Sequence, residues 1–159
     1  MARHVSSILC RRVSVDARTG AMSLFEVVEG LGLEKLAQAN DDAEDVLPLE
    51  MSHVSIFVRS DPDVPEKLEG RLVLVRPNKK RARGTSFDID LQDDFGCTST
   101  IEIAALPIEG SGVYEFVTEL KDGEGRWRQV ASVPVLVEVT EIKPPVRQKK
   151  KGAAKKSVR

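Results

Sequence analysis

The 159-residue sequence predicts an all-β protein. The expected architecture is a single antiparallel β-sandwich of about eight or nine strands, immunoglobulin-like or Greek-key in course, with a disordered C-terminal tail. Three observations point there. The chain holds 20 valines, residues that fit a pleated, half-buried surface. Its apolar residues alternate with polar ones in short runs, at period 2 rather than 3.6. Turn signals recur roughly every ten residues.

The first two strands are Val5–Val15 and Ala21–Val28. Asp16-Ala17-Arg18-Thr19-Gly20 joins them as a hairpin, with a glycine able to take positive φ. Glu34–Glu44 is the one segment rich in helix formers, with Leu33, Leu36 and Ala37 as a short apolar stripe. It reads as a helical turn or an ordered loop crossing between sheets, with Asp41, Asp42, Glu44 and Asp45 on an exposed loop before Pro48. The next strand runs from Leu47 to Val58, with Phe57 on the face opposite Val54 and Ile56.

Leu72 and Leu74 then alternate with Arg71 and Val73 ahead of the turn Arg76-Pro77-Asn78. Phe87-Asp88-Ile89-Asp90-Leu91 is the clearest half-buried strand, and Ile101 and Ile103 mark another. Tyr114, Phe116 and Leu120 alternate with glutamates and a valine. Asp122-Gly123 and Glu124-Gly125 mark a hairpin from Val113–Leu120 to Arg126–Ala131. Val133–Val139 reads as a separate last strand. Pro134 cannot donate a ladder hydrogen bond, so this end of the strand is expected at an edge or a bulge. An exposed edge around Val133–Val139 is also expected to be open to pairing with a partner strand.

Charge divides the chain into two parts. Residues 143–159 carry eight Lys and Arg and no acid, which leaves 16 Lys and Arg against all 25 Asp and Glu in residues 1–142, a net of −9. The expected domain is therefore 1–142, followed by a basic tail over 143–159. After Lys143-Pro144-Pro145 the tail has no apolar periodicity and cannot offset its ordering entropy by burial. No run of about 18 apolar residues would span a membrane, and MARHVSSILCRR lacks the apolar stretch of a secretory signal. Two cysteines, Cys10 and Cys97, suggest neither a disulfide framework nor a metal knuckle. A cytoplasmic protein that does not engage membranes is the expectation.

Several segments recur in one arrangement: Ser7-Ile8-Leu9-Cys10 closing an apolar first strand, a hairpin into Met22–Val28, and a loop to a proline and the strand Leu47–Val58. A strand with a charged turn follows. Near the end stand Gly112-Val113-Tyr114-Glu115-Phe116, a short charged turn and Val133-Pro134-Val135. The arrangement resembles a bacterial family of small β-sandwich proteins of unknown function, over most of residues 5–139. The resemblance implies a fold and no activity. An acid often follows the cysteine in that family; Arg11 stands there in this chain, so any role of that acid does not carry over. Independently, a Tyr at the start of a late strand can bury its ring and bond its hydroxyl to a loop backbone, as in the tyrosine corner of sandwiches.

No catalytic, cofactor or metal constellation emerges. His4 and His53 fall on the polar phase of their strands, outside any metal-ligand spacing. Cys10 reads as a buried small hydrophobe, since His4 lies six residues and about 20 Å along an extended strand away. Asp88, Asp90, Asp93 and Asp94 supply only part of a calcium shell and read as a solvated face and turn.

Two features point to partners. The loop residues Arg76, Lys79, Lys80, Arg81 and Arg83, with Lys149, Lys150, Lys151, Lys155 and Lys156 of the tail, are candidate contacts to a polyanion. Trp127, between Arg126 and Arg128, is a recognition anchor if exposed and core if it faces inward. The expectation is a non-catalytic binding or accessory module whose partner is a protein. The alternative is a protein associated with nucleic acid or another polyanion through the basic loop and tail.

Overall fold

The computed structural model describes residues 2–36 and 45–142. The tail, and the helix-former segment beyond Leu36, lie outside the described residues. The described chain is all β, nine strands in two packed sheets: β1 (Arg3–Val15), β2 (Met22–Val27), β3 (Gly30–Leu36), β4 (Asp45–Val58), β5 (Glu66–Val75), β6 (Thr85–Leu91), β7 (Gly96–Ile108), β8 (Gly112–Lys121) and β9 (Trp127–Ile142). Sheet one has the order β2-β1-β4-β7 and sheet two the order β3-β9-β8-β5-β6. The triplets β1-β4-β7 and β9-β8-β5 follow the A-B-E and G-F-C neighbourhoods of immunoglobulin-type sandwiches.

Local chemistry explains the turns. Asp16 accepts from the backbone N–H of Arg18 and Thr19, and Gly20 closes the first hairpin at φ 71°. Asp122 does the same work in the last hairpin, accepting from the N–H of Glu124 and Arg126. The backbone N–H of Arg126 foremost holds the Asp122 carboxyl down to about 2. Tyr114 forms the expected corner: its buried hydroxyl donates to Gly110 O at 3.0 Å and accepts from Glu109 N–H at 2.9 Å.

Three differences from the sequence reading matter. Glu34–Leu36 belongs to strand β3, which pairs parallel with β9; every other pairing is antiparallel. The stretches 127–131 and 133–139 are one continuous strand, kinked by a bulge where Val130 is the extra residue opposite Thr118 and Glu119. Most of β9 is therefore interior. The sequence reading of an open edge at Val133–Val139 fails because β3 occupies it from Leu136 onward. Pro134 is tolerated because β3 begins two residues later, leaving that flank locally unpaired.

The core between the sheets forms two clusters. One gathers Leu9, Met51, Leu72, Leu106, Tyr114, Phe116, Val135 and Val137; the other gathers Ala2, Phe57, Ile89, Leu91 and Leu120. On β4 the inward series runs Met51, His53, Ser55, Phe57, and on β8 it runs Phe116, Thr118, Leu120. His53, Ser55 and Thr118 thus form a buried polar belt between the clusters.

Candidate functional site

The outer faces of the two sheets differ in kind. On sheet two the outward positions carry a lattice of ion pairs. Lys67 meets Asp90 at 3.3 Å, Lys121 meets Glu69 at 2.8 Å, and Lys79 meets Glu115 at 3.2 Å. Arg71 and Arg81 both hold Glu119, Arg71 at 2.5 Å. Glu119 is only 5% exposed. Burial pushes its carboxyl up, but hydrogen bonds from Arg71 and Arg81 outweigh this and leave it below its ordinary range. Trp127 lies half-buried on this face, with the Arg71 guanidinium 4.2 Å and the Lys121 ammonium 5.5 Å from its ring centre. It is neither core nor a bare anchor, because two cations cover it.

Sheet one presents the opposite surface. Cross-strand register places Ile8 beside Val54 and Thr100, Ser6 beside Ile56 and Thr98, and Cys10 between Val27 and Ser52. Phe25 is 40% and Val27 58% exposed. Cys10 and Val54 are buried yet belong to neither core cluster, so neighbouring side chains on this outer face cover them. Charges stand toward its two ends: Arg3 beside Val58 at one, and at the other Arg12, which stacks on Phe25 at 4.8 Å, with Glu50 and Glu102 following Ser52. Cys10 is buried, as the sequence suggests; its thiol approaches Ser52 O at 3.8 Å and burial pushes its pKa up, so it is a poor nucleophile.

Beside this face runs the free edge of sheet one. β7 pairs with β4 on one flank and with no described strand on the other. Two grooves border it. One, of about 730 Å³, lies where a bulge in β4 between Pro48 and Met51 distorts the sheet, and is lined by Arg11, Glu50, Ser52, Glu102 and Ala104 among others. The other, of about 230 Å³, opens between β7 and residues 82–85 and is lined by Leu72, Leu74, Ile101, Ile103 and Phe116, with Arg83 on its rim.

The candidate polyanion residues are dispersed by their partners. The loop 76–84 folds back on sheet two, with Ala82 N–H donating to Leu74 O and Lys79 at φ 67°. Arg76 pairs with Glu109, Lys79 with Glu115 and Arg81 with Glu119. Among the described residues Lys80 and Arg83 have no carboxylate partner. Lys149, Lys150, Lys151, Lys155 and Lys156 lie outside the described residues.

The histidines correct the sequence reading, which put both on the polar phase. The extra residue at Val5 shifts the phase of β1, so His4 and Ser7 face the same way and His4 Nε2, Ser7 Oγ and Ser55 Oγ form a chain at 2.8 and 2.7 Å. His53 is 1% exposed and neither ring nitrogen has a partner among the described residues; Thr118 Oγ1 has none either. Burial first, and the proximity of His4 second, pull His53 down to about 4. The signal was in the sequence: His53 shares its phase with Met51 and Phe57. Among the described residues no group of three His, Cys, Asp or Glu side chains converges as a metal site would require, and no helix is long and apolar enough to cross a membrane. Comparison of the sequence with models of known families and with curated proteins finds no match.

Proposed function

We propose that this protein is a non-catalytic binding module that recognises another protein through the outer face of sheet one. One observation carries the reading. The two outer faces belong to one molecule with an acidic body, yet one is filled with ion pairs and the other with Ile8, Val27, Val54, Ile56 and hydroxyl residues. A solvated sheet face alternates polar residues outward; a face bearing β-branched apolar residues fits burial on both sides. Docking through the basic loop is less well supported, because a phosphate would have to displace Glu109, Glu115 and Glu119 from three of its five cations.

The test uses the full chain, immobilised in nuclease-treated cell lysate, beside Val27→Glu and Trp127→Ala. Partner proteins retained by the wild type and Trp127→Ala but lost by Val27→Glu support the outer face of sheet one. Retention unaffected by Val27→Glu overturns it. Recovery that needs residues 143–159 and disappears with nuclease transfers the function to the tail.

A further inference from the structure

We propose that the free edge of β7 accepts an extended strand of a partner protein, apolar at alternate positions and acidic at the end that meets Arg83. This rests on the reading of the molecule as a protein-binding module, and it names how part of the partner is held.

The sheet order explains why this edge is open. In the immunoglobulin course a fourth strand, D, covers E; here the fourth strand of sheet one, β2, pairs with β1 at the opposite end and leaves the E-equivalent β7 bare. The other three edges are protected in the usual ways. β2, β3 and β6 are only 6, 7 and 7 residues long. β2 is broken by Glu26 at φ 55°, and β6 carries Asp88 and Asp90. β7 runs for 13 residues with Glu102 as its only charge. Alternate N–H and C=O groups along such an edge point away from β4 and lack a strand to bond them.

The neighbouring groove defines what pairs there. At about 230 Å³ it is below the usual size of a small-molecule pocket, and its lining of Leu72, Leu74, Ile101, Ile103 and Phe116 suits apolar side chains projecting from every second residue of an added strand. Its rim supplies the polarity. Arg83 and Glu102 are its charged lining residues, so an incoming carboxylate belongs at Arg83 and an apolar residue beside Glu102; Arg83 and Lys80 are the two cations of the loop that carry no carboxylate among the described residues. Carboxylates on the incoming strand complete the pairing that Glu109, Glu115 and Glu119 give the other three. A second copy of this chain is a poor occupant: twofold pairing centred on the groove sets Arg83 against Arg83 and Glu102 against Glu102.

The test exposes the full chain to a random dodecapeptide library and follows backbone amide exchange with the recovered peptides bound. The expected peptides alternate apolar residues and end in Asp or Glu. They slow exchange of alternate β7 amides, and the double variant Lys80→Glu/Arg83→Glu, at exposed positions without partners, weakens them about tenfold. Peptides without alternation, unchanged exchange along β7, insensitivity to the double variant, or no recovered peptide overturns the proposal. Val27→Glu leaves peptide binding intact. Failure at β7 therefore leaves the reading of the outer face standing, and failure of that face in lysate leaves β7 to be judged on its own.

Discussion

Sheet two puts Leu72, Phe116, Leu120 and Val135 inward and Glu69, Arg71, Glu119 and Lys121 outward. Half of sheet one does the reverse. Toward the Phe57 end it turns His4, Ser7, His53 and Ser55 inward and Ile8, Cys10, Val54 and Ile56 outward. A sheet selected only to close a two-layer core gains nothing from that inversion. It loses apolar contact inside, where each unpartnered polar atom costs about 1–3 kcal/mol, and it exposes apolar area outside. On the proposed reading, the contrast follows from two contacts of sheet one: sheet two on one side and a partner on the other. The interior weakness and the exterior surface are two consequences of one pattern.

The largest expected effect tests the interior half of that contrast. His53 has an ordinary value of 6.5 and a folded value of about 4. The neutral ring is what the fold tolerates, so its contribution is fully present above pH 6.5. It is lost as pH falls toward 4, because the unfolded chain takes up a proton that the folded one refuses. The loss amounts to about 3 kcal/mol. Urea midpoints at pH 7 and pH 4 should show it, and His53→Leu should flatten the profile without lowering stability at pH 7. An unchanged pH dependence in His53→Leu would remove His53 as the weak point of sheet one.

The next effect tests the ionic half. Glu119→Ala leaves Arg71 and Arg81 facing each other over buried Val117 and Val73. Loss of a buried partner costs about 3–5 kcal/mol in full, and the partial exposure of both arginines reduces that to about 2 kcal/mol. Asp90→Ala, which breaks the solvated pair with Lys67, should cost under about 0.5 kcal/mol. Denaturant titration of the two variants separates a lattice that holds the loop 76–84 down from one that only decorates the surface. Equal costs would erase the distinction.

These regions were unequally legible in the sequence. Sheet two's alternation at Tyr114, Phe116 and Leu120 reads directly, as do both Asp- and Gly-closed hairpins, because their signals are local. Strand β3 was hidden by helix formers: Glu34-Lys35-Leu36 has helical propensity, and pairing with β9 overrides it. His53 was legible in phase with Met51 and Phe57, but its polarity concealed the phase. The free edge of β7 and the partners of Arg76, Lys79 and Arg81 could not be read at all. They depend on strand order and on contacts 33 to 38 residues apart in sequence.

The smallest expected effect on stability is the sharpest test of what sheet one's outer face is for. Val27 is 58% exposed beside Cys10 at the end of β2, so Val27→Glu should change the unfolding free energy by less than about 0.5 kcal/mol. A residue kept apolar for folding would cost more when charged. A residue kept apolar for a partner costs little alone and much in the complex, because the glutamate must then be desolvated without a counter-charge. Trp127→Ala on sheet two should show the reverse. Removing a large half-buried ring from between Arg71 and Lys121 should destabilise the free protein while leaving partner retention intact. Denaturation and partner retention measured on both variants therefore form a crossed comparison: if Val27→Glu destabilises the free protein as much as Trp127→Ala does, the apolar face belongs to the fold and not to a partner.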